Sequence, residues 1–443
     1  MSTREHWGSR FGFIMAAAGS AVGLGNIWRF PYITGENGGG AFLVIYLGIV
    51  IGFGLSLMMA EMLVGRSAQR NPVGAFRQLG GKGWPLVGFL GVLTGFVILS
   101  FYIVVAGWTL SYIGQMARGL LHSRDPAVLG AAFEGFVADP WRPLAYAAVF
   151  MVLVAWVVTG GISRGIERAN RWLMPILFLL LLVLVTRALT LPGAAQGMAF
   201  YLTPDWSKVD GGTFFAAISQ VFFSFSIGMG TMLTYGSYLS LRENLPRSAL
   251  TVGALDCLAA FLSGLMVIPA VFAFGFSPSA GPGLTFITLP AVFAALPGGD
   301  LFGMLFFTLL AIAALTSAVS ILEPLVSYVI DEHGLPRRVV VAGASVVCFL
   351  LAVPASLSFG PWSEVTVFGK TWFDLMDFLA NNLMLPVGGL LTALFVGWVW
   401  GRPALTALSN EHQLHQPWAV AWLWILRVVA PVAITWILIT NLS

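Results

Sequence analysis

The chain has 443 residues, of which 58% are hydrophobic and only 9% are charged, and its formal net charge is +3. Soluble domains carry about 25% charged residues, so this composition excludes an ordinary soluble protein and indicates one that crosses a membrane many times. A net charge this small gives no reason to expect nucleic acid as a partner. Cys257 and Cys348 both fall in apolar stretches, so neither a disulfide framework nor a cysteine metal site is indicated.

Apolar runs long enough to span a bilayer predict an all-α polytopic membrane protein with eleven transmembrane helices. The predicted spans are residues 11–35, 41–65, 86–117, 143–159, 169–190, 213–240, 247–276, 300–330, 338–356, 372–400 and 418–441. Several exceed the roughly 20 residues that a span needs, which predicts tilted or kinked helices. The uncharged Pro/Gly-rich loop at 277–299 is either a re-entrant lid or an ordinary ordered loop.

Lysine and arginine are concentrated at the N-terminus and in every second loop, which the positive-inside rule assigns to the cytoplasm. The cytoplasmic set is Arg4, Arg10, Arg66, Arg70, Arg77, Lys82, Arg164, Arg168, Arg171, Arg242, Arg247, Arg337, Arg338 and Arg402. The opposite loops hold Arg118, Arg124, Arg142, Arg187, Lys208 and Lys370. This predicts a cell (inner) membrane protein with a cytoplasmic N-terminus, and eleven spans then place the C-terminus outside.

The first predicted span is interrupted by the glycine-rich stretch Gly19–Asn26, which is followed by Ile27–Pro31. Glycine costs about 1 kcal/mol relative to alanine in a helix, and proline removes a backbone donor. A broken helix at membrane depth exposes carbonyls, which suit a small cation, and N–H groups, which suit a carboxylate. Two other interpretations remain: glycines that pack helices closely, or a signal peptide that begins with Arg4 and Arg10.

The sixth predicted span carries a second interruption within Ser219–Gly230, where two glycines again lie two residues apart. Paired interruptions in corresponding positions of two halves indicate a binding site near the midplane. The spacing predicts a 5+5 inverted repeat with broken helices 1 and 6. Its first half would be residues 1–190, its second half 213–400, and helix 11 would follow at 418–441.

Five segments together resemble the bacterial neurotransmitter:sodium symporter family, in particular its transporters of many hydrophobic amino acids. They are Gly19–Pro31, Glu36–Phe42, Gly161–Glu167, Ser226–Gly230 and Leu315–Ser317. The resemblance implies the LeuT-type inverted-repeat fold, a single transporter domain over residues 1–443, and Na⁺-coupled uptake by alternating access.

The resemblance also implies two sodium ions as coupling ions, held by hard oxygen ligands. Sodium site one would use Ala21, Asn26, Ser224 and Asp256, together with the substrate carboxylate. Sodium site two would use the Gly19, Val22 and Ala313 carbonyls with the Thr316 and Ser317 hydroxyls. From the residues alone, hydroxyls in the middle of a span are more often bonded to their own helix.

Asp256 lies in the apolar stretch Gly253–Ala259, where an unpaired carboxylate costs several kcal/mol. A bound cation is its natural partner, and the alternatives are a protonated or a loop-terminal aspartate. In animal members of the family, chloride supplies negative charge here, beside a tyrosine and a glutamine that match Tyr46 and Gln220. Asp256 would supply that charge permanently, which implies that transport is independent of chloride. A further hypothesis is that Asp256 takes up a proton when sodium leaves and carries it back across the membrane. Many relatives place the carboxylate one turn later, where this chain has Ala260.

A substrate amino acid is expected between the two broken helices. Bare N–H groups at Leu24 and Gly25 would bind its carboxylate, and nearby carbonyls its ammonium group. The resemblance adds the Tyr102 hydroxyl, and Gly23 leaves room where monoamine-transporting relatives carry aspartate. The predicted set is Ala21, Gly23, Leu24, Gly25, Ile98, Tyr102, Phe223, Ser224, Ser226, Met229, Ser317 and Ile321. Because its side-chain pocket has no charge, it predicts hydrophobic L-amino acids, including large aliphatic and aromatic ones.

Charged residues near the ends of the spans are candidates for gates. The resemblance implies that Arg29 and Asp377 close the outer side, directly or through water. On the inner side, Arg4 would pair with Asp331 near Tyr238. Solvated charges at loop ends are the alternative.

Gly165 and Pro175 both weaken a helix at the start of the fifth span. In similar transporters this spacing is a hinge that lets the segment unwind and admit water to the ion. From the residues alone, Gly165 and Pro175 are explained equally well as residues that mark the start of an ordinary helix.

These features predict a Na⁺-coupled, chloride-independent symporter that imports hydrophobic L-amino acids. The alternatives are a proton-coupled amino-acid transporter and a non-transporting sensor of the same fold; Thr316, Ser317 and Asp256 favour sodium. An enzyme is disfavoured because all five histidines fall in predicted loops or termini. A channel would not need two interrupted helices around an apolar pocket. The expected partners are the amino acid, sodium ions and the lipid bilayer.

Overall fold

The computed structural model of the protein describes residues 5–278, 283–410 and 417–442. Within them, regular structure is helical apart from two isolated β-bridges. The principal helices are α1 (Arg10–Ala21), α2 (Gly25–Glu36), α3 (Gly40–Ala68), α4 (Pro85–Ala117), α5 (Arg142–Thr159), α6 (Ile162–Leu189), α7 (Gly211–Ser224), α8 (Thr231–Ser237), α9 (Leu245–Ala273), α10 (Gly299–His333), α11 (Arg337–Leu357), α12 (Trp372–Trp400) and α13 (Ala419–Thr440). Shorter helices connect them at Pro72–Gly80, Pro126–Val137, Ala194–Leu202, Trp206–Lys208, Leu284–Ala294 and Arg402–Leu408.

The helices confirm an all-α polytopic membrane fold. In the described part of the chain, nine are long and apolar enough to cross a membrane, and α1 with α2 forms a tenth span that bends by 49°. The predicted sixth span consists of α7 and α8, which have 14 and 7 residues and are each too short to span alone. The predicted eleven spans are reached when this pair is taken as one broken span. The fifth span begins at Ile162, earlier than the predicted residue 169.

The first interruption is shorter than its sequence suggests. Helix α1 ends at Ala21 and α2 begins at Gly25, so the break comprises residues 22–24. Asn26 and Pro31 lie inside α2 rather than in the break. Within α2, Pro31 is the second residue of the α-helical part Phe30–Glu36, which follows a π-helical turn at Gly25–Arg29.

The second interruption separates α7 from α8 by six residues with an irregular backbone. Ser226, Gly228 and Gly230 have φ values of +53°, +86° and +71°. These left-handed conformations cannot continue a right-handed helix, and they are favourable mainly for glycine. Both predicted breaks are therefore present.

Helix α10 lies at the centre of the protein and α13 lies at its edge. Within the protein, 78% of the most apolar stretch of α10 is buried, compared with 28% for α13. Helix α10 packs against α1, α4 and α6, which brings the middle of α10 close to the first break. Large exposed side chains such as Trp156, Leu179 and Val347 lie on outer helices, as expected for surfaces that face lipid.

The proline-rich loop after α9 is packed against the protein. It contains the helix Leu284–Ala294, and Phe286 within that helix is 1% exposed. The Tyr112 hydroxyl donates a hydrogen bond to the Phe286 carbonyl at 3.0 Å. The described part of this loop is therefore a buried cover over α4 rather than a solvated connection; residues 279–282 lie outside the described residues.

Candidate functional site

A small cavity lies between the two helix breaks, and the residues that line it are almost the same as the predicted substrate set. The lining residues are Ala21, Gly23, Leu24, Gly25, Ile98, Tyr102, Phe223, Ser226, Met229, Ser317 and Ile321. Ser224 is the one predicted member that does not line the cavity. Its hydroxyl is bonded to Asp256 instead.

One end of this cavity is polar. The backbone N–H of Leu24 donates to the Tyr102 hydroxyl at 3.4 Å, and Tyr102 is 3% exposed. A Cβ atom on Gly23 would lie 2.9 Å from the Ser317 Oγ atom and 3.3 Å from the Tyr102 hydroxyl. Glycine therefore keeps this end open for a group that accepts hydrogen bonds from N–H and O–H, such as a carboxylate.

A second polar element joins the two breaks to α10. The Ser226 and Ser317 hydroxyls both donate to the Ser20 carbonyl at 3.3 Å. Ser320 donates to the Ser20 Oγ atom at 2.8 Å. Ser20 had no place in the sequence prediction, because a serine within an apolar helix gives no signal of its tertiary partners. These serine contacts join α1, the break between α7 and α8, and α10.

The rest of the cavity is apolar. Ile98, Met229 and Ile321 are buried, and Phe223 covers another side. None of the lining residues is charged. A charged side chain of a ligand would lose its hydration without gaining a counter-ion, so the cavity suits an apolar one.

Asp256 forms the centre of a buried oxygen cluster beside the first break. Its carboxylate accepts from Ser224 Oγ at 2.8 Å, from Asn26 Nδ2 at 2.8 Å and from the Tyr46 hydroxyl at 3.4 Å. Gln220 Nε2 donates to the Gly25 carbonyl at 2.8 Å. Asp256 is 0% exposed and has no cationic partner among the described residues. Three of the four predicted ligands of sodium site one are therefore in direct contact.

Two of the predicted ligands of sodium site two, Gly19 on α1 and Thr316 on α10, lie next to each other. The Thr316 hydroxyl donates to the Ala313 carbonyl at 3.1 Å, and a Cβ atom on Gly19 would lie 3.1 Å from Thr316 Cβ. Val22 and Ala313 are fully buried. The Thr316 hydroxyl thus bonds to its own helix, which was the alternative prediction. Its oxygen atom still has lone pairs that are available to a cation.

Glu61 is a buried carboxylate that the sequence prediction missed. It lies on α3, and its Oε1 atom accepts from the Gly228 N–H at 2.7 Å, in the middle of the second break. Its Oε2 atom is buried without a hydrogen-bond partner in the described part of the protein. A single acidic residue within the apolar run of α3 was a usable signal, because such a residue needs a buried partner.

The predicted outer gate residues do not bond to each other. Arg29 donates to the Ser219 Oγ atom at 3.1 Å and lies over the Phe223 ring, with its Cζ atom 5.3 Å from the centroid. Asp377 accepts from Asn381 at 2.7 Å. Both charges line a cavity of about 370 Å³ above the smaller one, and Tyr102 and Phe223 form part of the wall of each. The pair is therefore separated across a vestibule.

The predicted inner gate can be followed in part, since Arg4 lies outside the described residues. Asp331 accepts from the Asn71 backbone N–H at 3.0 Å. Tyr238 donates to Glu323 at 2.8 Å, and Glu323 forms a buried ion pair with Arg337. This ion pair was not predicted.

The N-terminal segment is hydrogen-bonded to the start of α6. The Glu167 carboxylate accepts from the Gly8 N–H at 2.6 Å and from the Ser9 hydroxyl at 2.9 Å. Glu5 in turn accepts from the Ile162 N–H at 2.5 Å. The predicted hinge residues Gly165 and Pro175 lie in a helical segment here, and the hinge stays a prediction.

Two broken helices around a small cavity, with a buried oxygen cluster beside the first break, define a membrane transporter of the broken-helix class. Residues 4–122 and 142–443 match the sodium:neurotransmitter symporter family. The chain belongs to this family, and it is accordingly a multi-pass, sodium-dependent symporter rather than an enzyme.

Three similar proteins support this membership. An uncharacterized sodium-dependent transporter of Bacillus subtilis (strain 168), YhdH, is 41% identical over 97% of this chain and 95% of its own length. An uncharacterized sodium-dependent transporter of Haemophilus influenzae is 36% identical over 99% of this chain and 98% of its own length. The crystal structure of MhsT in complex with L-phenylalanine has 47% identity and a TM-score of 0.91, covering 99% of this chain and 100% of that chain.

Proposed function

We propose that this symporter couples the inward movement of two sodium ions to the import of neutral, hydrophobic L-amino acids by alternating access. The observation that carries the proposal is the cavity between the helix breaks, which is polar at the Leu24 and Tyr102 end and apolar elsewhere. The polar end suits the carboxylate common to all amino acids, and the apolar part suits a hydrophobic side chain. The L-phenylalanine held by the related MhsT structure supports this substrate class.

Two separate oxygen clusters support two sodium ions. One lies at Asp256 and Asn26, and the other lies where Gly19 meets Thr316. Both offer carboxylate, amide, hydroxyl or backbone carbonyl oxygens, which suit a hard monovalent cation. Each also adjoins the first helix break, so an ion bound there would hold α1 or α2 against its neighbours.

Chloride independence is proposed because Asp256 supplies a fixed negative charge at sodium site one. The carboxylate contacts Tyr46 and Ser224, so it fills the space beside the candidate ligands.

The excess of arginine and lysine in alternate loops supports a cytoplasmic N-terminus, which makes the vestibule lined by Arg29 and Asp377 the extracellular entrance.

The test is uptake of labelled L-leucine, L-tryptophan and L-glutamate into proteoliposomes. The imposed gradients are Na⁺, K⁺, or protons alone, each with chloride or gluconate. We expect accumulation of leucine and tryptophan only with Na⁺, unchanged by gluconate, and no accumulation of glutamate. Proton-driven uptake without Na⁺ would contradict the sodium sites, and binding without accumulation would indicate a sensor.

Two matched variants locate the substrate in the cavity. Tyr102→Phe removes the hydroxyl that contacts the Leu24 N–H, and it should weaken leucine binding at least about tenfold, as expected for a lost hydrogen bond to a charged group. Tyr146→Phe removes a hydroxyl from a half-buried tyrosine on α5 and should leave binding unchanged. Equal effects of the two variants would place the amino acid elsewhere.

A further inference from the structure

Asn170, on α6, has a buried amide oxygen with no hydrogen-bond partner in the described part of the protein. The side chain is 1% exposed, so water does not readily replace the missing partner. Its Nδ2 atom donates to the Ile166 carbonyl at 2.9 Å, one turn earlier on the same helix. Because only the NH₂ group can donate to a carbonyl, this bond fixes the Oδ1 atom on the opposite side, facing α1.

The unpartnered oxygen lies against Gly19, which is one of the predicted ligands of sodium site two. A Cβ atom on Gly19 would lie 2.1 Å from Asn170 Oδ1 and 3.1 Å from Thr316 Cβ. Asn170 Oδ1 therefore packs directly against the backbone of Gly19, with Thr316 beside it. Any larger residue at position 19 would clash with the amide oxygen.

We propose that Asn170 Oδ1 is a further ligand of the sodium ion at site two, contributed by α6. This inference rests on the proposed function, because it adds a residue to one of the two proposed ion sites. An amide oxygen is a hard, neutral ligand, so it stabilises a monovalent cation without adding a charge that would remain buried when the ion leaves. Sodium would supply the partner that the oxygen lacks.

The position of Asn170 gives this ligand a second role. It stands five residues after Gly165 and five before Pro175, midway between the predicted hinge residues. Unwinding of this segment would break the bond from Asn170 to Ile166 and withdraw the amide oxygen from Gly19. Unwinding of α6 would therefore remove a ligand from the ion and favour its release in the same step.

A merely structural role is the competing explanation, since the oxygen could accept a weak C–H contact from Gly19. The experiment uses the full-length purified protein in detergent, with a NaCl series balanced by KCl to constant ionic strength. It measures ²²Na⁺ binding and the Na⁺-dependent rise of the melting temperature for Asn170→Ala, Asn170→Asp and Thr316→Ala. The matched control is Ser345→Ala on α11, which removes another buried polar atom that has no hydrogen-bond partner among the described residues.

We expect Asn170→Ala to raise the Na⁺ concentration for half-maximal binding about three- to tenfold and to reduce the Na⁺-dependent rise of the melting temperature. Asn170→Asp should lower the melting temperature without Na⁺, because its charge is then unpaired, and show a larger rise with Na⁺ than the unaltered chain. This second variant keeps the proposal testable if Asn170→Ala fails to fold. Ser345→Ala should leave Na⁺ binding unchanged.

Two results would overturn the proposal, and they are distinguishable from each other. Normal Na⁺ binding in Asn170→Ala, with weakened binding in Thr316→Ala, would leave site two intact and make Asn170 a packing residue. Unchanged Na⁺ binding in both variants would remove site two itself, and with it the corresponding part of the proposed function.

Discussion

At the scale of single residues, Asp256 would supply the negative charge at the proposed sodium site one. Its hydrogen-bond partners in the described part of the chain, Asn26, Ser224 and Tyr46, are all neutral. Two opposite charges 4 Å apart attract by about 4 kcal/mol at an effective dielectric constant of 20, although desolvation offsets part of this. A sodium ion beside Asp256 would therefore depend strongly on the carboxylate.

We expect Asp256→Ser to weaken Na⁺ activation of leucine uptake at least about tenfold in gluconate medium. Serine leaves a space beside the Tyr46 hydroxyl, so added chloride should restore part of the uptake by supplying a mobile negative charge. Initial rates of uptake in proteoliposomes, over a Na⁺ series with and without chloride, measure both effects.

The control for this substitution is Asp300→Ser, which removes an exposed carboxylate outside the cluster. It should leave the Na⁺ and chloride dependence unchanged. An unaltered Na⁺ dependence in Asp256→Ser would show that Asp256 is not the charge that balances the ion.

At the scale of elements, the break between α7 and α8 is stabilised by contacts from two other helices. Glu61 on α3 binds the Gly228 N–H group, and the Leu385 carbonyl on α12 lies where a Gly228 side chain would be. The backbone of the break is thus fixed from both sides, and its conformation does not depend on glycine flexibility alone.

Gly228→Ala should therefore destabilise the protein by several kcal/mol. At a φ of +86°, alanine would be strained by about 1–2 kcal/mol relative to glycine. Its Cβ atom would also lie 2.4 Å from the Leu385 carbonyl oxygen. Gly275→Ala is the control, because Gly275 has a φ of +71° and no atom of the described residues lies within 4 Å of the added Cβ. Thermal unfolding in detergent should show a much larger loss for Gly228→Ala, and equal losses would contradict the contact with α12.

The N-terminal segment provides a second prediction at this scale. Glu167→Ala removes the acceptor for both Gly8 and Ser9, and each hydrogen bond to a charged group is worth about 1.5–3 kcal/mol. We expect hydrogen exchange of the peptides around residues 5–12 to increase at least tenfold, measured by mass spectrometry. Glu332→Ala, which breaks a more exposed ion pair with Arg77, should leave those peptides unchanged.

Unchanged exchange in Glu167→Ala would show that other contacts hold the segment. The aromatic contact of Trp7 with Tyr235, with ring centroids 5.1 Å apart, would then be the next candidate.

At the scale of the whole molecule, the distribution of positive charge predicts the orientation in the membrane. A cysteine introduced as Arg124→Cys should react with a membrane-impermeant maleimide added to intact cells. A cysteine introduced as Arg242→Cys should react only after the cells are permeabilised. Both positions are exposed in the structure, and the unaltered chain controls for the native Cys257 and Cys348. The opposite labelling pattern would reverse the proposed orientation.

Properties that depend on short stretches of chain were predictable from the sequence. Long apolar runs indicate spans, because a helix that crosses the bilayer needs about 20 predominantly apolar residues. The pairs Gly23/Gly25 and Gly228/Gly230 indicated both breaks, because glycine weakens a helix locally. The resemblance to a known family supplied the residues that line the cavity, and eleven of the twelve do so. The inverted repeat of residues 1–190 and 213–400 stays a prediction.

The tertiary structure decided which residues from distant parts of the chain meet. It separates Arg29 from Asp377 across the vestibule, joins Glu61 to Gly228, and directs Asn170 at Gly19. None of these contacts leaves a periodic pattern in the sequence, because each depends on how two helices far apart along the chain approach and rotate. Composition and spacing therefore determined that this protein spans the membrane with two broken helices, whereas packing determined which oxygen atoms face the space between them.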